Sequence, residues 1–150
     1  MARVGSKRTA RSETRQVAAL PWRLENGQRR ILMITSRETR RWVIPKGGRM
    51  VGKTDPEAAA QEAMEEAGVK GDIDSQSIGV FRYAKGMRDG GVRQCVVSVY
   101  PLEVLIQMGV WPEAHQRERR WMTPGEAADL VHEPDLAALI RDFAATPLAD

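Results

Sequence analysis

A glycine-rich loop that leads directly into a short acidic helix constrains this chain more than any other stretch. Residues 47–69 read GGRMVGKTDPEAAAQEAMEEAGV. Glycines let the backbone take positive φ angles and approach a ligand closely. Thr54 and Glu57 have the spacing of a capping box, and Pro56 occupies the first turn, where its missing N–H costs nothing. Gly68 is a typical helix terminator, so the sequence predicts a helix that begins after Thr54 and ends at Gly68.

The predicted helix has two different faces. One is a stripe of small residues that can lie close to a sheet, namely Ala59, Ala60, Ala63 and Ala67. The other carries Glu62, Glu65 and Glu66, which are neighbours because residues three and four apart meet on a helix. Like charges repel at these spacings, and the last turn of a helix disfavours anions. A divalent cation with oxygen ligands would relieve this repulsion. The simpler interpretation is a solvated acidic face on a surface helix.

The same segment resembles the Nudix box, a pattern of Gly, five residues, Glu, seven residues, then Arg-Glu-aliphatic-x-Glu-Glu-x-Gly-aliphatic. The matching positions are Gly47, Glu62, Ala63, Glu65, Glu66, Gly68 and Val69. Lys53 stands where the family has Glu, and Gln61 stands where it has Arg. The resemblance implies a Nudix-like α/β/α sandwich of the α/β (α+β) class, with a mixed β-sheet packed between helices.

The resemblance also implies a reaction and its residues. Nudix-like proteins typically hydrolyse a nucleoside diphosphate linked to another group, by attack of a metal-positioned water on phosphorus. By position, Glu62 and Glu66 are expected to bind Mg²⁺, or alternatively Mn²⁺, together with the main-chain carbonyl of Lys46. Glu65 is a further ligand or the general base. Three acids outside the box are alternatives for the base, although an ordinary surface role is favoured for each: Glu103, Glu113 and Glu118.

The two departures from the box suggest a hypothesis about Lys53. The family pair of opposite charge is replaced at both positions, by Lys53 and Gln61. We therefore expect that Lys53 no longer braces the helix and instead faces the phosphates, which would lower the metal requirement. A solvated lysine is an equally good interpretation.

Length and charge predict one globular domain. Of the 150 residues, we assign 1–14 to a flexible basic tail and 15–146 to a single Nudix-type domain. No apolar run is long enough to predict a membrane span. A net charge of +3 is too small to favour nucleic acid as a partner. The single cysteine, Cys95, predicts a buried thiol and a cytoplasmic location. Oligomeric state, monomer or dimer, is left open.

Alternating apolar patterns and turn signals predict the remaining elements. Strands are expected at 16–23, 30–36, 42–44, 78–84, 92–104 and 120–122. Residues 71–75 are expected to form a turn, and Pro21 to mark a sheet edge or a bulge. Two further helices are predicted, one from Thr123 to about residue 131 and one from Pro134 to Phe143. Strands without regular βαβ alternation indicate a mixed sheet covered by helices.

Basic residues in the loops around the box favour a substrate with many phosphates, because guanidinium groups bind phosphate bidentately. Local patterns such as Arg41-Trp42-Val43-Ile44-Pro45 and Arg117-Glu118-Arg119-Arg120-Trp121 resemble the diphosphoinositol-polyphosphate and diadenosine-polyphosphate phosphohydrolases. The predicted substrate-binding residues are Ser36, Arg37, Lys46, Gly47, Gly48, Lys53, Arg88, Arg93 and Arg117. Among the tryptophans, Trp111 is the favoured candidate for stacking on a base.

Three functions therefore remain open from the sequence. The first is a metal-dependent pyrophosphohydrolase acting on a small-molecule polyphosphate. The second is a Nudix enzyme acting on a smaller nucleotide, such as a nucleoside triphosphate, ADP-ribose or a nucleotide sugar. The third is a Nudix-fold module that senses a nucleotide without hydrolysing it. The intact set of Glu62, Glu65 and Glu66 argues against the third function, whereas Lys53 and Gln61 keep it open.

Overall fold

The computed structural model describes residues 13–148, which form eight strands and three helices. The strands are β1 (Glu13–Glu25), β2 (Gln28–Thr35), β3 (Trp42–Val43), β4 (Lys46–Gly48), β5 (Val69–Ile73), β6 (Gly79–Gly86), β7 (Val92–Gln107) and β8 (Arg119–Met122). The helices are α1 (Asp55–Ala67), α2 (Pro124–Leu130) and α3 (Pro134–Ala145). Most of the predicted basic tail lies outside the described residues, and β1 already begins at Glu13.

Strand β2 shows why the sheet is covered on both sides. Its apolar run from Ile31 to Ile34 is fully buried. Ile31 and Met33 pack in one apolar cluster with α2 and α3, whereas Leu32 and Ile34 pack in a second cluster with the alanines of α1. Alternate residues of a strand point to opposite faces, so both faces of this strand must be apolar. The predicted α/β/α sandwich with a mixed sheet is confirmed.

Strand β1 lies at the centre of the sheet. It runs parallel to β7 and antiparallel to both β4 and β2. The expectation that Pro21 marks a sheet edge or a bulge was wrong, because Pro21 lies inside β1 opposite Leu102. The neighbour on the other side of β1 changes at this point, since β4 pairs with residues 16–18 and β2 with residues 22–25. Proline is therefore placed where the strand passes from one partner to the next.

The long strand β7 binds two shorter strands along its second edge. Strand β6 pairs with its first half as the predicted hairpin, and β5 pairs antiparallel with its second half. The turn expected at 71–75 was wrong, because residues up to Ile73 belong to β5. A Cβ added to Gly71 would lie 1.8 Å from the carbonyl oxygen of Glu103. Gly71 thus permits a close backbone approach at a register shift, and it does not form a turn.

Helix α1 packs on the sheet through alanines, as predicted. Ala58, Ala59, Ala63 and Ala67 are fully buried. Ala60, which was expected in this stripe, is only half-buried, and Ala58 takes its place. The capping box of Thr54 and the left-handed Gly68 terminate the helix as expected. In the described part of the chain, no helix is long and apolar enough to cross a membrane.

Candidate active site

The glycine loop and the acidic helix meet at Gly47. Strand β4 pairs with residues 16–18 of β1, which holds the loop against the sheet. A Cβ added to Gly47 would lie 2.0 Å from Oε2 of Glu62. Contacts this short do not occur, so Glu62 can occupy its position only because residue 47 has no side chain. The first glycine of the loop therefore sets the place of the first box carboxylate.

Glu62 and Glu66 form a crowded carboxyl pair. Each carboxyl lies close enough to affect the pKa of the other, and Glu66 is only 7% exposed. The main-chain N–H of Lys46 donates to Oε1 of Glu66 at 3.3 Å. Burial raises the pKa of Glu66 to about 8, although the nearby Arg117 guanidinium opposes the rise. Burial also raises the pKa of Glu62. Both groups therefore hold a proton more firmly than free carboxyls do.

The third box acid, Glu65, has a hydrogen-bond partner of its own. Nε2 of Gln61 donates to Oε2 of Glu65 at 2.7 Å, one helical turn along α1. The family has Arg at position 61 and Glu at position 53. Here Gln61 cannot pair with Lys53 as those two would, and it donates a hydrogen bond to Glu65. Within residues 13–148, no three His, Cys, Asp or Glu side chains lie close enough together to bind one metal ion. The structure brings together two of the three predicted acids, Glu62 and Glu66.

A hard divalent cation fits this pair. The pKa values of Glu62 and Glu66 are raised because two acids share a site with little water, and a bound cation would favour their charged forms. Mg²⁺ usually binds one or two carboxylates and keeps several waters. Two carboxylates beside an open cleft therefore suffice. The assignments of Glu65 and of the Lys46 carbonyl as ligands stay predictions.

The segment 108–119 holds the end of α1 in place. The last carbonyls of a helix lack partners within the helix. Here three of them, together with the carbonyl of Gly68 just after the helix, accept hydrogen bonds from this one segment. The pairs are Glu65 O with the N–H of Glu113 (3.1 Å), Glu66 O with Nε1 of Trp111 (3.0 Å), Ala67 O with Nη1 of Arg119 (2.9 Å), and Gly68 O with the N–H of Met108 (2.8 Å).

One feature of the sequence could have indicated that another segment binds the carbonyl end of α1. Helix α1 carries two acids and no basic residue in its last turn. Positive charge must then come from elsewhere, and Arg119 supplies it at the carbonyl end. The Arg119 guanidinium also lies 3.8 Å from the ring centroid of Trp111, so one face of this ring is covered by the protein itself. Stacking of a base on Trp111 would have to use the other face.

Arg117 is the cation that faces the carboxyl pair. Its side chain is 8% exposed, and Nη2 lies 3.6 Å from Oε1 of Glu66. It also donates to Glu113 at 2.8 Å and to the carbonyl of Thr35 at 3.0 Å. Of the acids considered as alternative bases, Glu113 is thus the one beside the pair. Glu118 is exposed and forms an ion pair with Arg40.

A cleft of about 920 Å³ opens beside Glu66. Its lining contains seven of the predicted site residues, and we list them here: Ser36, Arg37, Lys46, Gly47, Gly48, Glu66 and Arg117. Arg41 and Lys85 also line it, which gives five cationic side chains against the two acids Glu38 and Glu66. Gln16 and Tyr83 complete the polar wall, and the sequence did not single them out. The cleft therefore offers an anion many donors and few repelling charges.

Three predicted substrate contacts lie outside the cleft lining. Lys53 is exposed in the turn before α1; the pKa of the nearby Glu57 is lowered chiefly by hydrogen bonds with Thr54, and the charge of Lys53 acts in the same direction. Arg88 lies in the exposed loop between β6 and β7. Arg93 lies in β7 opposite Lys85 of β6, and its Nη1 donates to Oγ1 of Thr14 at 3.2 Å. The assignment of these residues to substrate binding, including the Lys53 hypothesis, stays a prediction.

Comparison with known proteins finds related sequences. Residues 14–143 match the family model described as "NUDIX domain". Nudix hydrolase 13, mitochondrial, from Arabidopsis thaliana is 36% identical over 75% of this chain and 58% of its own length. Nudix hydrolase 18, mitochondrial, from the same plant is 31% identical over 85% of this chain and 74% of its length. Human diphosphoinositol polyphosphate phosphohydrolase 3-beta is 30% identical over 80% of this chain and 71% of its own length. The chain spans less than two thirds of the length of several plant relatives, including Nudix hydrolases 12, 13 and 16.

Solved structures share the fold. A binary complex of the Caenorhabditis elegans Ap4A hydrolase has a TM-score of 0.65 at 18% identity, covering 88% of this chain and 96% of that one. The Nudix domain of Shewanella oneidensis NrtR complexed with ADP ribose has a TM-score of 0.64 at 13% identity, covering 87% and 88%. The family match, the sandwich and the carboxylates of the box agree, and the chain belongs to the Nudix hydrolase family.

Proposed function

We propose that the protein is a divalent-metal-dependent pyrophosphohydrolase acting on a highly phosphorylated small molecule, of the dinucleoside polyphosphate or diphosphoinositol polyphosphate type. One observation carries this proposal. Glu66, which is paired with Glu62, lines a cleft that has five cationic side chains and only two acids. The negative charges of a polyphosphate chain complement this cationic lining. The two carboxylates can bind a divalent cation that activates water.

The residues divide the work between them. Glu62 and Glu66, with the main-chain carbonyl of Lys46, would hold Mg²⁺, or alternatively Mn²⁺. The bound ion would neutralise phosphate oxygens and lower the pKa of water. Glu65 would accept the proton from water or act as a further ligand, and its bond to Gln61 restricts its orientation. Arg37, Arg41 and Lys85 would bind the remaining phosphates along the cleft and fix their direction.

A non-catalytic nucleotide-binding module is the second candidate, and a specific observation favours it. Glu65 accepts a hydrogen bond from Gln61, and Glu66 already faces the guanidinium of Arg117. A protein that only binds a nucleotide needs no converging set of three acids. Catalysis on a smaller nucleotide is a variant of the first proposal, and the same cleft would accept it.

One assay separates these candidates. Purified protein is incubated with Mg²⁺ and four substrate classes, namely dinucleoside polyphosphates, inositol pyrophosphates, ADP-ribose and nucleoside triphosphates. We expect the fastest product release with one of the first two classes. Turnover only of ADP-ribose or triphosphates would favour the smaller-nucleotide variant. Tight binding without any turnover would favour the sensing module and overturn the proposal.

The variant Glu66→Gln tests the carboxyl pair. It keeps the shape of the side chain and removes its charge, so we expect a loss of at least about a hundredfold in kcat. The matched control is Glu25→Gln, because Glu25 lies at the far end of β1, where its 44% exposed side chain pairs with Arg23 and Arg30. The control is expected to stay within about twofold of the wild type. Near-wild-type activity of Glu66→Gln would remove Glu66 from the mechanism.

A further inference from the structure

The ammonium group of Lys46 has no carboxylate partner. Among residues 13–148, no acid lies within 4.0 Å of it, although Lys46 is half-buried and lines the cleft. A cation in such a place is usually paired, because burying an unpaired charge is unfavourable. The missing partner is therefore an anion from outside.

The aromatic ring of Tyr83 supports this ammonium group. Nζ of Lys46 lies 4.8 Å from the ring centroid, a cation–π distance. The ring is itself fixed at both ends. It stacks on Phe81, with centroids 6.3 Å apart, and its hydroxyl donates to Oε1 of Gln16 at 2.7 Å. Gln16 in turn lies in β1, opposite Gly48 of the glycine loop.

These three residues come from three strands and meet at one wall of the cleft. Gln16 belongs to β1, Lys46 to β4 and Tyr83 to β6, and each of them lines the cleft. The backbone N–H of Lys46 donates to Glu66 while its side chain reaches Tyr83. One residue therefore connects the carboxyl pair with the ammonium group. A phosphate held by the ammonium would lie next to whatever the carboxyl pair acts on.

We propose that Lys46, Tyr83 and Gln16 form a phosphate seat, in which the Lys46 ammonium binds one phosphate of a phosphoanhydride chain and Tyr83 and Gln16 position it. Tyr83 and Gln16 are positioning residues, since they act through Lys46. The seat rests on the proposed function only for its use in hydrolysis. Its binding of a phosphate chain is a separate property that can be measured without turnover.

The test is a calorimetric titration of the whole chain with inorganic tripolyphosphate in EDTA, where no metal supports hydrolysis. Lys46→Met is expected to weaken binding at least about tenfold, as loss of a charge-assisted contact would. Tyr83→Leu removes the ring and is expected to weaken binding about fivefold, whereas Tyr83→Phe keeps the ring, loses only the hydrogen bond to Gln16 and is expected to weaken binding about threefold. The matched control is Lys70→Met, because Lys70 is exposed on β5 away from the cleft.

A double variant separates positioning from general damage to the fold. If Tyr83 acts through the ammonium, Tyr83→Leu adds less than about twofold to the loss caused by Lys46→Met. Equal losses in both backgrounds would overturn the positioning role. Wild-type affinity of Lys46→Met would overturn the seat itself. If Tyr83→Leu fails to fold, Gln16→Ala replaces it, with an expected loss of about threefold that also disappears in the Lys46→Met background.

The outcomes also distinguish this inference from the proposed hydrolysis. Suppose that Lys46→Met loses tripolyphosphate binding and that no substrate is turned over in the Mg²⁺ assay. The phosphate seat would then be supported and the proposed hydrolysis would be contradicted. Suppose instead that the wild type turns over a substrate and that Lys46→Met keeps its tripolyphosphate affinity. The proposed hydrolysis would then be supported and the phosphate seat would be contradicted.

Discussion

At the scale of single residues, Gly47 decides whether the two box carboxylates can approach each other at the loop. It lies directly against Glu62, where any side chain would collide with the carboxylate. Conformational freedom is not the reason for glycine here, because Gly47 lies in β4 and does not have a positive φ angle. The requirement is for space, and it comes from an acid fifteen residues later in the sequence.

Gly47→Ala should therefore displace Glu62 without unfolding the protein. We expect kcat to fall between about ten- and a hundredfold, since small misplacements of catalytic groups have effects of this size. The control is Gly125→Ala, because a Cβ at Gly125 meets no atom within 4 Å and this exposed residue lies in α2, outside the cleft lining. Full activity of Gly47→Ala would show that Glu62 can move aside at no cost to the reaction.

The pKa of Glu66 predicts how stability depends on pH in the metal-free protein. Its carboxyl titrates at about 8 in the folded state, chiefly because of burial, compared with 4.5 for a free glutamate. Between these values the folded chain binds a proton that the unfolded chain has lost, so its contribution to stability falls as pH rises from about 5 to about 8.

Thermal unfolding in EDTA at pH 5 and pH 8 checks this expectation. The wild-type Tm should drop more between these pH values than the Tm of Glu66→Gln, by at least about 2 °C. Mg²⁺ should raise the wild-type Tm more at pH 8 than at pH 5, because a metal binds the ionised form. Equal pH dependence in the two proteins would contradict the assignment.

At the scale of elements, helix α1 was predictable and its fastening was not. The capping box and Gly68 are local signals, and they fixed both ends of the helix in the sequence analysis. The partners of its last carbonyls come from residues 108–119, more than forty positions later. Short-range patterns indicate that the acidic end of α1 needs positive charge from elsewhere, but they do not indicate which residues supply it. The same limit applies to Gly71, whose role depends on the backbone of Glu103.

Trp111→Phe tests whether this fastening supports catalysis. The variant keeps an aromatic ring against Gly68 and removes the Nε1 donor to Glu66 O, which leaves a carbonyl without its partner. Such a loss typically costs about 1–3 kcal/mol. We expect a lower Tm and a several-fold lower kcat with little change in KM.

The control for this variant is Trp121→Phe. Trp121 donates to the exposed side chain of Gln107 and does not contact the end of α1 through its Nε1. It should leave kcat within about twofold of the wild type. A Trp111→Phe protein with reduced Tm but unchanged kcat would assign Trp111 to the stability of the fold alone.

At the scale of the whole molecule, the sequence predicted the classes of elements better than their neighbours. The strand expected at 30–36 is found as β2, Gln28–Thr35. The pairing of β1 with β7 was not visible, because it joins segments that are distant in sequence. Pro21 was misassigned for this reason, since its meaning depends on which strands lie beside β1.

The candidate site divides in the same way. The carboxyl pair lies within one short segment, and resemblance to a family motif located it. Tyr83 and Gln16 lie on separate strands and have no local pattern, so only the folded sheet brings them to Lys46. Arg117 was found by resemblance, but its contacts with Glu113 and Thr35 required the structure.

The parallel pairing of β1 with β7 has a consequence for how the protein is made. Glu13 and Gln94 are paired although about 80 residues separate them in the chain. Closing a loop of this length costs entropy before any strand contact compensates for it. On the ribosome, β1 must therefore wait without its main partner until β7 has been synthesised. The acidic helix is translated during that interval, with the sheet that receives it still incomplete.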